Sequence, residues 1–218
     1  LVLVCFSFFI YKSSLSNEFS YDDLSVVVEN YYIKSFSYLS SVFDLSYFGR
    51  FGEESYRPIV TLTYFADFFL WGLSSEGFHL TNIILHLSVS ILIFVLFRRI
   101  FNDAFWALFA SALFAVHPLT TEAVNAVGFR EELLTTFFGL GALLFFWNSL
   151  KISPELIQKI WINQWLSIVF FVLAMLSKEN GMVLLLVFPA IFLLANSTKK
   201  IELRKNEIQF GLFLTIAF

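Results

Sequence analysis

The sequence is short of most things a soluble enzyme relies on. Charged residues fill 14% of its 218 positions, against about 25% in soluble domains. With a hydrophobic share of 58% and a mean hydropathy of +0.77, that shortfall excludes a water-surrounded globule. A single cysteine, Cys5, excludes an intrachain disulfide and says nothing about redox compartment. There is no phosphate-binding P-loop, no dinucleotide glycine pattern and no Cys/His zinc spacing, so energy from a soluble nucleotide is not indicated. No basic face for nucleic acid is present, and neither is an internal repeat or a low-complexity segment.

What remains predicts an all-α polytopic membrane protein of about seven helices, each span taking roughly 20 residues. Both ends read as cut: residues 1–11 as the end of a first helix, residues 208–218 as the start of a seventh. A long loop fills residues 12–77, with an amphipathic stretch from Ser35 to Tyr47 and a turn-rich joint from Gly49 to Pro58. Ile59 to Trp71 is too short to span and reads as interfacial or re-entrant. Spans follow at 78–100, at 104–125 together with an outer helix, and at 133–150, 160–177 and 182–195. Pro118 is expected to end or kink its helix. His79, Asn82, His86 and Ser90 recur at spacings of 3, 4 and 4, so they share one narrow helical arc facing other helices.

Charge then orients the chain. Arg98, Arg99, Lys151, Lys159, Lys199, Lys200, Arg204 and Lys205, eight of the 14 basic residues, fall in one set of short alternate loops. The positive-inside rule makes those loops cytoplasmic. The other face then carries Asp22, Asp23, Arg57, the stretch from His117 to Glu132, Lys178 and Glu179.

Each of these has two readings. Asp22 and Asp23 are a general base or metal-holding acid, or solvated loop acids. Glu122 and Asn125 are one helical turn apart and can face a common cavity with His117; otherwise His117 is a hydrogen-bonded helix end. Arg130 is a phosphate clamp or the partner of Glu131 or Glu132. Arg57 is a phosphate contact or a loop ion pair, and Lys178-Glu179 a site or a wet hairpin. His79, Asn82 and His86 read as packing glue before metal ligands.

The motifs form an ordered series: Tyr21-Asp22-Asp23, Tyr56-Arg57-Pro58, Gly77-Phe78-His79, Leu85-His86, Ala115-Val116-His117-Pro118, Thr121-Glu122, Gly128-Phe129-Arg130-Glu131-Glu132 and Ser177-Lys178-Glu179-Asn180-Gly181. From about Phe19 to Pro189, the series resembles the membrane portion of the transmembrane and tetratricopeptide-repeat-containing O-mannosyltransferases and their bacterial relatives, which are GT-C glycosyltransferases.

The resemblance implies a GT-C-like helical bundle whose long first extracytoplasmic loop carries short amphipathic helices. It implies a polyprenyl-phosphate-linked sugar donor, mannose or another hexose, and a protein or glycan acceptor met outside the cytoplasm. The setting would be a bacterial inner membrane or the endoplasmic reticulum. Asp22 or Asp23 would be the essential acid. Arg57, Arg130 and Lys178 would meet the donor phosphate. Glu122, a candidate catalytic acid beside them, would position the substrate with His79, His117, Asn125, Glu131 and Glu179. No cofactor is certain, and a divalent metal is left open. Tetratricopeptide repeats are expected beyond this sequence. The family's usual Gly-Arg pair is split here by Phe129. A lipid-linked sugar flippase and a non-catalytic assembly subunit are the competing readings.

Overall fold

A computed structural model describes residues 2–44, 47, 55–197 and 213, and they form an all-α polytopic membrane fold. Helix α1 (Val2–Tyr11) is followed by short turns through Phe43, three of tight 3-10 helix and one, Leu24–Val28, of wide π-helix. Most of the turn-rich joint lies outside the described residues, as does the seventh helix expected from Ile208, apart from Phe213.

Helix α2 (Pro58–Trp71) opens on Pro58, whose missing N–H costs nothing at a helix start. At 1.5 Å per residue its 14 residues reach about 21 Å, short of a roughly 30 Å hydrocarbon core. Gly72, at φ +63, ends it with a turn that a side chain would strain. Helix α3 (Ser75–Phe101) then crosses with 27 residues and stops at Asn102, in a left-handed conformation. Asp103 starts α4 (Ala104–Val116) by accepting the N–H groups of Phe105 at 2.8 Å and Trp106 at 3.2 Å.

Pro118 breaks the helix: residues 118–125, ending in the short α5 (Thr121–Asn125), are bent by 55° from α4. Helices α6 (Arg130–Lys151), α7 (Ile157–Ser177) and α8 (Leu184–Ser197) complete the described bundle. Among the described residues three helices are long and apolar enough to cross a membrane, and the bent pair makes a fourth if it is one span. Helix α6 begins at Arg130, three residues before the sequence alone suggests, because its first charged turn packs inward.

The two largest of four apolar clusters among the described residues hold most of the elements. One, along α6, α7 and α8, stacks Phe146, Phe171 and Phe188 edge to face, with Phe213 against them. The other, at the end near residue 128, buries Val27, Ile33 and Val42 of the first loop against Val60, Tyr64 and Phe78. Burial of each such side chain is worth about 1.5–3 kcal/mol, so the loop is a packed cap. The stretch expected to be amphipathic is a tight-helical turn, Phe36–Phe43, with Val42 buried and Phe36 stacked on Phe69. The polar arc of α3 is buried throughout. His86 meets the Ala115 carbonyl at 3.1 Å, and Ser111 donates to the Ser90 carbonyl at 2.6 Å.

Candidate active site

Between α5 and α6 the α-helix is interrupted by extended Ala126 and a tight turn over Val127–Phe129, so backbone groups on either side of the break need outside partners. Side chains supply them. Asn82 donates to the carbonyls of Ala123 at 3.2 Å and Ala126 at 3.1 Å. Tyr64 donates to the Val127 carbonyl at 3.0 Å. Asp23 accepts the Gly128 N–H at 2.6 Å and the Ser20 N–H at 3.1 Å, which ties the first loop to this segment.

Asp23 is therefore sealed, while Asp22 beside it is exposed. The Asp22 carboxylate has no hydrogen bond or ion pair among the described residues. Gly128 makes this approach close: a Cβ there would lie 3.2 Å from the Asp22 Cβ and 3.3 Å from Asp23 Oδ1. Gly128→Ala is expected to cost about 1–3 kcal/mol, as overpacking does. Thermal unfolding in detergent measures it, and a variant as stable as wild type would refute the close packing.

Arg130 is fully buried. Its Nε donates to Asn82 Oδ1 at 2.7 Å, Nη1 to Thr63 Oγ1 at 3.1 Å and Nη2 to the Phe78 carbonyl at 3.0 Å. The charge is met by Asp67 at 2.6 Å and by the Tyr64 ring at 4.9 Å. Thr81 donates to the other Asp67 oxygen at 2.7 Å. The expected partner was Glu131 or Glu132, and it is Asp67 instead. With its fork spent on α2 and α3, Arg130 is placed as an internal strut.

Glu131 points elsewhere, into a mixed-charge cluster. Its Oε1 receives Arg57 Nη1 at 3.1 Å and Lys178 Nζ at 3.3 Å. Each cation also holds an outer acid: Arg57 bonds Glu179 at 3.3 Å, and Lys178 bonds Glu132. Burial separates the three acids, since the side chains of Glu131, Glu132 and Glu179 are 9%, 46% and 60% exposed. Burial pulls the Lys178 ammonium down, but its bonds to Glu132 and Glu131 outweigh that and hold it above the usual lysine range. A bond from its own backbone N–H, helped by Arg57, holds Glu179 below the usual carboxylate range. Both groups therefore stay charged through neutral pH.

His117 spends Nδ1 on the Leu119 N–H at 3.2 Å, the bland reading of a capped helix end. Glu122 is exposed and lines a cavity of about 240 Å³; neither His117 nor Asn125 lines it. His79 is buried, 3.4 Å from the Ser14 hydroxyl. Among the described residues no three His, Cys, Asp or Glu side chains converge as metal ligands would. Tyr64 and Asp67 were not singled out by the motifs. An acid inside the otherwise apolar helix α2 is the signal that could have found Asp67.

A bundle of apolar helices, closed at one end by a packed loop and a charged cluster, defines an integral membrane protein. The chain belongs to the dolichyl-phosphate-mannose-protein mannosyltransferase family, whose model matches residues 58–218. A Caenorhabditis elegans protein O-mannosyl-transferase is 32% identical over 193 residues, covering 84% of this chain and 26% of the relative. Human protein O-mannosyl-transferase TMTC3 is 35% identical over 176 residues, covering 78% of this chain and 19% of the relative. Mouse protein O-mannosyl-transferase TMTC4 is 29% identical over 242 residues, covering 97% and 32%. The chain thus spans a third or less of the length of these relatives. No solved structure matches it.

Proposed function

We propose that this chain is the membrane domain of a mannosyltransferase that moves a mannosyl group from a polyprenyl-phosphate carrier to a protein hydroxyl on the non-cytoplasmic face. The observation that carries this reading is an exposed acid, Asp22, without a side-chain partner among the described residues, beside Gly128 at the end of the bundle where Arg57 and Lys178 flank Glu131.

Asp22 takes the proton of the acceptor hydroxyl as its oxygen attacks the anomeric carbon. The bond from that carbon to the phosphate oxygen breaks, and the electron pair leaves with the polyprenyl phosphate. Arg57 and Lys178 offset the charge that grows on the leaving phosphate. Buried Glu131 holds the two cations at a fixed separation, while exposed Glu179 gives way to a phosphate oxygen at Arg57. Asp23 positions Asp22 through Gly128, and Arg130 holds the frame rather than the phosphate. His79, His117 and Asn125 shape the surroundings of the reacting groups. The positive-inside charge pattern supports the choice of face.

The test uses the full-length protein in proteoliposomes with labelled polyprenyl-phosphate mannose and a protein acceptor. Wild type is expected to transfer label, with Arg57→Met and Lys178→Met each lowering donor affinity about tenfold, since bonds to charged groups are worth about 1.5–3 kcal/mol. Carrier crossing the bilayer with no transfer would replace the reading with a flippase. No activity of either kind would favour an assembly subunit.

A further inference from the structure

We infer that the cavity between α4, α5 and α6 is the subsite for the sugar ring of the donor; this rests on the function proposed above. The cavity has a volume of about 240 Å³. That is below the range of about 300–1,000 Å³ that holds drug-sized ligands, so it suits one small ring rather than a peptide or a prenyl chain.

Its lining matches a pyranose on both of that ring's surfaces. Thr120, Glu122, Glu132 and Thr136 bring oxygen atoms, and Phe114 and Phe129 bring aromatic rings. A sugar presents hydroxyl donors around its rim and C–H groups on its faces. Carboxylates accept the first in charge-assisted bonds, and aromatic rings cover the second. Two of the polar groups are unspent: the side chains of Glu122 and Thr136 have no hydrogen-bond partner among the described residues. Of the other two, Thr120 donates to the His117 carbonyl and Glu132 is held by Lys178.

That last bond sets the direction of the ligand. Glu132 belongs at once to the cavity wall and to the cation cluster, so a ring in the cavity has its phosphate at Lys178. A hexosyl phosphate bridges that step: the ring against Glu122 and Phe129, the phosphate against the ammonium. The cavity thereby assigns Glu122 and Thr136 as specificity residues for the sugar, separate from the groups that meet the phosphate.

The test measures equilibrium binding of two ligands to purified full-length protein, polyprenyl-phosphate mannose and the same polyprenyl phosphate without sugar. Glu122→Gln removes a charged acceptor at an exposed position, and Thr136→Leu fills the cavity. Each is expected to weaken binding of the sugar-bearing carrier by about tenfold or more and to leave binding of the bare carrier unchanged. Retained binding of the bare carrier also shows that the variant is folded. If Thr136→Leu fails to fold, Glu122→Gln decides. Lys178→Met is expected to weaken both ligands. If Lys178→Met weakens both while Glu122→Gln changes neither, or changes both equally, the sugar subsite is overturned and the phosphate clamp stands. If Glu122→Gln weakens the sugar-bearing ligand alone and Lys178→Met changes nothing, the clamp fails and the subsite stands.

Discussion

Asp22→Asn is expected to lower the rate of mannosyl transfer by about 10²- to 10⁴-fold, the usual contribution of a positioned general base. Donor affinity and stability should stay near wild type, because the Asp22 side chain is exposed and makes no hydrogen bond or ion pair among the described residues. The neighbouring acid should behave differently. Asp23→Asn keeps a carbonyl oxygen for the Gly128 N–H but loses the charge that strengthens that 2.6 Å bond. Its first effect is on the melting temperature, and its effect on rate follows from a displaced Asp22. Transfer rates and thermal unfolding, measured side by side on both variants, separate the two roles. Full activity in Asp22→Asn with none in a well-folded Asp23→Asn would move the base to Asp23.

Arg130→Met is expected to destabilise the protein by about 3–5 kcal/mol, the cost of leaving one member of a buried ion pair alone. Asp67, 4% exposed at its side chain, would be left without a counter-ion, and Asn82, Thr63 and the Phe78 carbonyl would each lose a donor. Arg130→Lys should rescue little, since one ammonium cannot reproduce a planar fork that serves four groups. Combining Arg130→Met with Asp67→Asn should recover part of the loss, because the stranded charge is gone. Unfolding in detergent, followed by near-ultraviolet absorbance or thermal aggregation, reads all three. A single Arg130→Met variant with wild-type stability would show that the pair is dispensable to the frame.

Local spacing made much of the fold legible. The helical arc from His79 to Ser90 is buried, and Pro118 breaks its helix where a missing N–H requires it. Charge clusters were legible as a set but not in their pairing. Arg130, Glu131 and Glu132 stand side by side in sequence, which suggests pairing among themselves. On a helix, consecutive residues point about 100° apart, so Arg130 turns toward Asp67 while Glu131 turns toward Arg57 and Lys178. Those partners lie on α2 and after α7, and only the tertiary fold brings them near. Asp22 and Asp23 read as equivalent in sequence. Gly128, more than a hundred residues on, makes Asp23 a tie, while exposed Asp22 has no side-chain partner among the described residues.

Helix α2 lies across the start of α6 rather than alongside it: Arg57, Thr63 and Asp67 all reach residues 130–131. Its two ends are fastened in unlike ways. The Asp67 end is a hinge pin sunk in the interior, which dissolved ions do not reach. The Arg57 end is a latch in contact with water, closed partly by exposed Glu179. Salt at physiological strength screens exposed charges over about 8 Å and barely touches buried ones. Rising ionic strength therefore weakens the Arg57–Glu179 latch first, while the Asp67 pin and the buried Val60 and Tyr64 between them keep their grip.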